Sequence, residues 1–362
     1  MNFIGIKQLL SALPAFAAVI CIVAAGFALE ACYTLKQGAA MLSLLSSAVP
    51  VESIGRDGAP ENDTRFVREV NEIRRFALEE LGLKKTKNYT TYIEIKRDYL
   101  ALIVSASEKD RFKRYEWHYP VVGKLPYKGF FDNNGAKKEM ERLKKKNLDV
   151  LVRQVDAFST LGWFKDPLYS FMKEYSTAHL ANLIIHESFH ATLFLKNHAQ
   201  FNEEIAEFIG TEGSRLYIAK KFGENSDEYT ALERGEKDEA AFVAYIKTLI
   251  AELEEVYKRD IPSEEKLKLK AECIAASQKR FLEEYDSRFS SPRYKFFAEF
   301  AVNNAYLELF SLYHEGASRL LELYKASGGD LRQFIQAAKT LNSKSPPYEQ
   351  LEHALQDLSN AD

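Results

Sequence analysis

The chain has 362 residues, of which 46% are hydrophobic and 28% charged. These proportions exclude a disordered chain, a collagen-like fibre and a coiled-coil rod, and the length allows one large or two medium domains. Forty-nine lysines and arginines against 52 aspartates and glutamates leave a net charge of −3, which argues against a dedicated nucleic-acid binder.

The first charge is Lys7 and the next is Glu30, so Gln8 to Leu29 is a run of 22 uncharged residues. At about 1.5 Å of rise per residue it matches a bilayer core of about 30 Å. Residues 1–32 therefore read as a signal or anchor segment. Leu29-Glu30-Ala31-Cys32 resembles a lipoprotein cleavage box with Cys32 as the lipidated residue; a plain membrane anchor is the alternative. Both readings put the rest of the chain at the periplasmic or extracellular face. Residues 33–65, punctuated by Gly38, Pro50, Gly55, Gly58 and Pro60, read as a tether.

Phe66, Val70, Ile73, Ala77 and Leu81 keep helical spacing, which predicts a helix over 63–81 that stops at Gly82. The next stretch is rich in β-branched and aromatic residues: Tyr89 to Ile95, Tyr99 to Val104, Tyr115 to Tyr119 and Leu148 to Val152, with a helix over 135–146 between the last two. From Thr177 onward nearly everything reads as helix. The expected breaks fall near Gly210–Gly213, Gly223, Pro262, Ser290-Ser291-Pro292, Gly328-Gly329 and Ser345-Pro346-Pro347. Sheet followed by helices predicts an α+β protein with a small mostly antiparallel sheet. Residues 66–225 would carry the sheet and the metal helices, and 226–362 would be a helical region packed on them.

Three cysteines (Cys21, Cys32 and Cys273) form no Cys-x-x-Cys pair, so a transition metal needs histidine and carboxylate ligands. His186-Glu187-Ser188-Phe189-His190 supplies them on a strongly apolar helix. Residues four apart share one helix face, so both imidazoles can grip one ion. Glu187 is placed to take a proton from the attacking water and hand it to the leaving amine. A third ligand is expected on the next helix, where Glu203 follows Asn202, the expected N-cap. Glu207, one turn on, can orient a ligand histidine, and Glu204 should face solvent. Zn2+, one ion, is the expected cofactor, and peptides are the expected substrates.

His-Glu-x-x-His followed by Asn202-Glu203 and Ala206 resembles the gluzincin branch of zinc peptidases. A longer resemblance is to a bacterial family described as predicted zinc aminopeptidases, often lipoproteins. It is carried by Trp117 to Gly123, Tyr127 to Phe131, Ala157 to Pro167, His186 to His190, Phe201 to Glu203 and Asn303 to Ala305, which run in the family's order over most of the chain. The resemblance implies a zincin-like fold, His186, His190 and Glu203 as zinc ligands, Glu187 as general base, and aminopeptidase action. Endopeptidase action is the alternative within enzymes. A non-catalytic envelope lipoprotein, its metal bracing two helices and its long helices acting as a scaffold, is the alternative outside them. Tyr313, with Tyr127 second, is the expected oxyanion donor. The segment from Phe158 to Pro167 is a candidate cleft lining. Glu204, Glu207 and Glu212 are candidates for the carboxylate that would hold a substrate ammonium group.

Overall fold

The computed structural model describes residues 33, 37–119, 123–156, 166–311 and 315–359. The protein is α+β. Its strands fall in the first half and form three small sheets, and helices fill the second half. The expected anchor, Cys32, the segment 157–165 and Tyr313 lie outside the described residues. None of the described helices is long and apolar enough to cross a membrane.

Helix α1 (37–46) leads to strand β1 (Val49–Pro50), which pairs antiparallel with β2 (Thr91–Ile93). Strand β2 also pairs parallel with β8 (Leu168–Tyr169), so a segment far along the chain completes this sheet. Helix α2 (Glu61–Glu79) buries Phe66, Val70, Ile73 and Ala77 of the predicted stripe together with Phe76, and the last member, Leu81, is buried just past the helix's end. It starts directly after Pro60, two residues earlier than the pattern predicts, and the chain turns at Gly82 with φ +68°.

The second sheet has β3 (Ala101–Ser107) at its centre, between β6 (Tyr127–Phe130) and β7 (Asp149–Val155), with both pairings antiparallel. Helix α3 (Asn133–Lys145) contributes the buried Ala136 and Leu143 to the small core beneath it. Asp132 caps that helix by accepting the Gly135 N–H at 2.7 Å. A short hairpin joins β4 (Trp117–Tyr119) to β5 (Gly123–Leu125). Strands β1, β5, β6 and β8 lack a strong alternating pattern. They are set by their partners rather than by their own sequence.

The metal-motif helix α4 (Thr177–Thr192) and α5 (Ala199–Phe222) form a hairpin. Asn182 reaches Thr211 at 3.3 Å while His190 faces Glu203 at 3.5 Å, so the partners run in opposite directions. Gly210 and Gly213 were expected to break the chain, yet α5 passes through both. A Cβ on Gly210 would stand 3.1 Å from the Asn182 carbonyl oxygen and from His186 Cβ, and one on Gly213 3.0 Å from Ile185. The glycines are there so that the two helices can close. The breaks at Gly223, Pro262, Ser291-Pro292, Gly328-Gly329 and Pro346 do end or begin helices.

Helices α6 (Asp227–Lys258) and α7 (Ser263–Arg288) bury Phe242, Leu249 and Phe281 in a second core, with Phe297 from a 3-10 turn and Leu307 from α8 (Asn304–Ser311). Asp238 is 2% exposed and accepts both backbone N–H groups and both hydroxyls of Ser290 and Ser291. Four donors on one carboxylate hold it well ionised despite burial. The main core joins α2, α4 and α5 to α9 (Glu315–Ala326), α10 (Leu331–Ala338) and α11 (Pro347–Ser359). The second core is tied to the sheet by buried polar groups. Lys270 pairs with Asp149, the Asn304 N–H donates to the same carboxylate at 2.9 Å, and the Asn303 amide donates to the Val150 carbonyl at 3.1 Å.

Candidate metal centre

Helix α4 begins at Ser176, whose hydroxyl accepts the His179 N–H at 3.2 Å. Leu180, Ala181, Ile184, Ile185 and Phe189 bury one side of it, which turns His186 and His190 towards α5. Their rings stand 4.7 Å apart at 78°, with the two Nε2 atoms 3.0 Å from each other.

The turn between the helices sets what meets them. Asn202 was the expected N-cap, but α5 starts at Ala199 after His198. Asn202 is instead 2% exposed and grips the turn twice. Its Oδ1 accepts the Leu195 N–H at 2.9 Å and its Nδ2 donates to the Leu195 carbonyl at 2.9 Å. Asn197 turns the chain with φ +68°, a conformation asparagine tolerates. The adjacent Glu203 therefore lands opposite the histidines: Oε1 is 3.5 Å from His190 Nε2 and Oε2 is 3.9 Å from His186 Nε2.

One ligand atom from each of His186, His190 and Glu203 lies within 4.8 Å of the others. Donors in a tetrahedral zinc site, each about 2.0–2.2 Å from the ion, stand about 3.3–3.6 Å apart. The three separations straddle that value, so the donor set fits such an ion with only small movements. The histidine side chains are 16% and 12% exposed and Glu203 is 67% exposed. The group is backed by protein and open on one side, where a fourth ligand position belongs.

Glu207 Oε2 stands 3.4 Å from His186 Nδ1, the ring nitrogen turned away from Glu203. Burial opposes charge on His186. The bond to Glu207 and the charges of Glu187, Glu207 and Glu203 outweigh it and raise the pKa. Glu187 is 9% exposed, and burial raises its pKa against the pull of both histidines. A carboxylate held between solvation and two imidazoles in this way suits proton transfer. The bond to His190 lowers the pKa of Glu203, so it stays an anionic donor.

Other groups feel the charges of this centre. Tyr127 opens β6, and its phenol is raised by burial and then by the charge of Glu203. Tyr89, which the sequence did not single out, is 2% exposed with φ +59°, and its phenol is raised by burial and then by Glu187. Its N–H donates to the Asp166 carbonyl at 2.7 Å, which helps hold that unusual backbone in place. His179 stacks on Tyr175, with ring centroids 4.1 Å apart.

The three carboxylates expected to hold an ammonium group are committed elsewhere. Glu204, expected in solvent, is part-buried, bonded by the Tyr348 hydroxyl and by Gln200. Glu207 faces His186, and Glu212 stands 3.7 Å from Arg215. On α6 the exposed Glu239 lies in the field of the same centre: partial desolvation raises its pKa, Arg293 opposes that, and the repulsion of Glu207 adds to it. No signal within the 227–258 helix could have marked Glu239, because only the packing of α6 brings it near Glu207.

A helix that presents two histidines to a carboxylate on the next, antiparallel helix defines a site of the kind that holds one metal ion and leaves it accessible. A family model described as "Putative aminopeptidase" matches residues 32–354, and the chain belongs to that family. No curated protein and no solved structure matches it.

Proposed function

We propose that the protein is a zinc-dependent peptidase of gluzincin type that removes residues from the N-termini of peptides. The observation that carries this reading is the convergence of His186, His190 and Glu203 beside a buried Glu187 whose pKa is raised. Bound by those three residues, Zn2+ would polarise the scissile carbonyl and acidify water. Glu187 removes the proton from the attacking water and delivers it to the departing amine. Glu207 holds the His186 ring by its Nδ1, and Tyr127 donates to the oxyanion. Tyr313 is the alternative donor. Glu239 holds the substrate's α-ammonium group, which is what would restrict cutting to the terminus.

The family description supports peptidase chemistry at the level of its name. The chain's N-terminal run supports a tether, through Cys32 or a plain anchor, that keeps the enzyme at the outer face of a membrane.

The test is the zinc-loaded full chain incubated with a mixed peptide library, the products being mapped by mass spectrometry. Ladders that lose single N-terminal residues are the expected outcome, and internal cuts would make it an endopeptidase. Glu187→Gln should keep its zinc and lose about 10²–10⁴ of the rate. Glu203→Ala should lose zinc itself. Silence from zinc-replete protein would favour the scaffold reading.

A further inference from the structure

We propose that the pocket between α2, the turn after it and α4 binds a small phosphate-type anion, either free phosphate or the headgroup phosphate of a lipid. Arg74, Arg75, Lys84 and Lys85 line it, together with Asn71 and Thr86, and no carboxylate does. Its volume is about 210 Å³. That is below the roughly 300–1,000 Å³ of sites for drug-sized ligands, so it suits free phosphate or the single phosphate of a lipid headgroup better than a nucleotide.

Four cations converge here in a chain whose net charge is −3. Among the described residues none of the four has an ion-pair partner. Arg74 makes only two long bonds to neutral oxygens, Asn71 Oδ1 and the Thr86 carbonyl, each at 3.4 Å. Burial lowers its pKa, and only the charge of Glu52 acts against that. The guanidinium is thus partly removed from water with no carboxylate bonded to it, Glu52 reaching it only through its field, and an anion in the pocket would offset that cost.

A purely structural role would be to cap the last carbonyls of α2, where cations are favoured. That role is already filled from α10 and the residue after it. Arg332 donates to the Glu79 and Glu80 carbonyls at 2.8 and 3.3 Å, and Lys339 to the Gly82 carbonyl at 2.8 Å. Of the three carboxylates that line the groove on the far side of Arg75, Glu72 bonds Lys221 and Glu80 bonds Lys220, and Glu79 makes no ion pair with Arg75 among the described residues.

The turn that carries Lys84 and Lys85 is fixed rather than loose. The Leu83 N–H donates to the Ala77 carbonyl at 3.0 Å, and the Lys84 N–H to Thr192 Oγ1 on α4 at 2.9 Å. An anion held here would therefore bridge α2 to the helix that bears the histidines, and Ser188 of that helix lines the same pocket.

The experiment is equilibrium dialysis of the full chain in non-ionic detergent at fixed ionic strength. One arm uses radiolabelled inorganic phosphate, the other a short-chain phosphatidylglycerol below its micelle concentration. Saturable binding of one anion per chain is expected, and the arm that binds more tightly identifies the source. Arg74→Gln combined with Lys85→Gln should weaken binding about tenfold or more, the loss of one or two charge-assisted hydrogen bonds. Lys85→Gln alone alters an exposed side chain and should weaken it about threefold without touching the fold. Lys137→Gln with Lys138→Gln on α3 should bind like the unaltered protein. Failure of both anions to bind, or equal loss in the α3 variant, overturns the proposal. Neither arm measures peptide turnover, so the result stands apart from the peptidase reading.

Discussion

Glu239 and Glu308 are two carboxylates that their surroundings have made unusual, and each makes a separate prediction. Glu239 has no hydrogen bond or ion pair among the described residues, and it shares its field with Glu207 and Arg293. If it holds a substrate ammonium, Glu239→Gln should raise KM for free peptides about tenfold, the value of one charge-assisted contact. Peptides acetylated at the N-terminus should be cut equally poorly by both proteins, and a steady-state comparison of the two substrate sets checks this. Glu308 is 6% exposed, and burial pushes its pKa up to about 7 although Arg114 stands 3.7 Å away. A carboxyl whose folded pKa lies above its unfolded value binds more protons when folded, so its contribution falls as pH rises from about 4.5 to about 7. Glu308→Gln should remove that fall. Urea unfolding at pH 5 and pH 8 should show the variant gaining on the unaltered protein by on the order of 2 kcal/mol at the higher pH.

Between elements, the α4–α5 hairpin decides whether the metal ligands meet. Its spacing rests on Gly210 and Gly213, and its phase on Asn202 gripping the turn. Gly210→Ala would bring a methyl group to 3.1 Å from both the Asn182 carbonyl and His186 Cβ. Ala favours helix over Gly by about 1 kcal/mol, but the crowding should outweigh it and cost about 1–3 kcal/mol net. The displaced His186 should bind zinc about tenfold more weakly, a loss comparable to removing an orienting partner. Zinc titration beside thermal melts separates the two effects. A helix that melts higher and keeps its zinc affinity would show that the glycines are not needed for closure.

At the scale of the molecule, two helical cores and a small sheet are held together by few buried polar joints. Lys270 is 7% exposed and depends on Asp149, whose carboxylate also accepts the Asn304 N–H. Asp149→Ala would leave a buried ammonium without its counter-charge and should cost about 3–5 kcal/mol in urea unfolding. Asn303 and Asn304, part of the stretch that resembles the aminopeptidase family, spend their side chains on this joint, bonding carbonyls of the sheet and of the segment between β3 and β4.

Features that depend on neighbours along the chain were legible from the residues alone: the α+β order, the stripe of α2, the two histidines on one face of α4, and most helix ends. Those are consequences of 3.6-residue periodicity, proline and glycine, which act within a few residues. Tertiary structure decided which features converge. Gly210 and Gly213 read locally as breakers, and only the arrival of α4 against them makes them contact points. Asn202 reads as a cap, and only the closed turn gives its amide two backbone partners. Glu239, Tyr89 and the basic pocket have no local signature. The groups that give them meaning come from other elements and from positions far away in the sequence, brought close by the burial of apolar faces that carry no information about them.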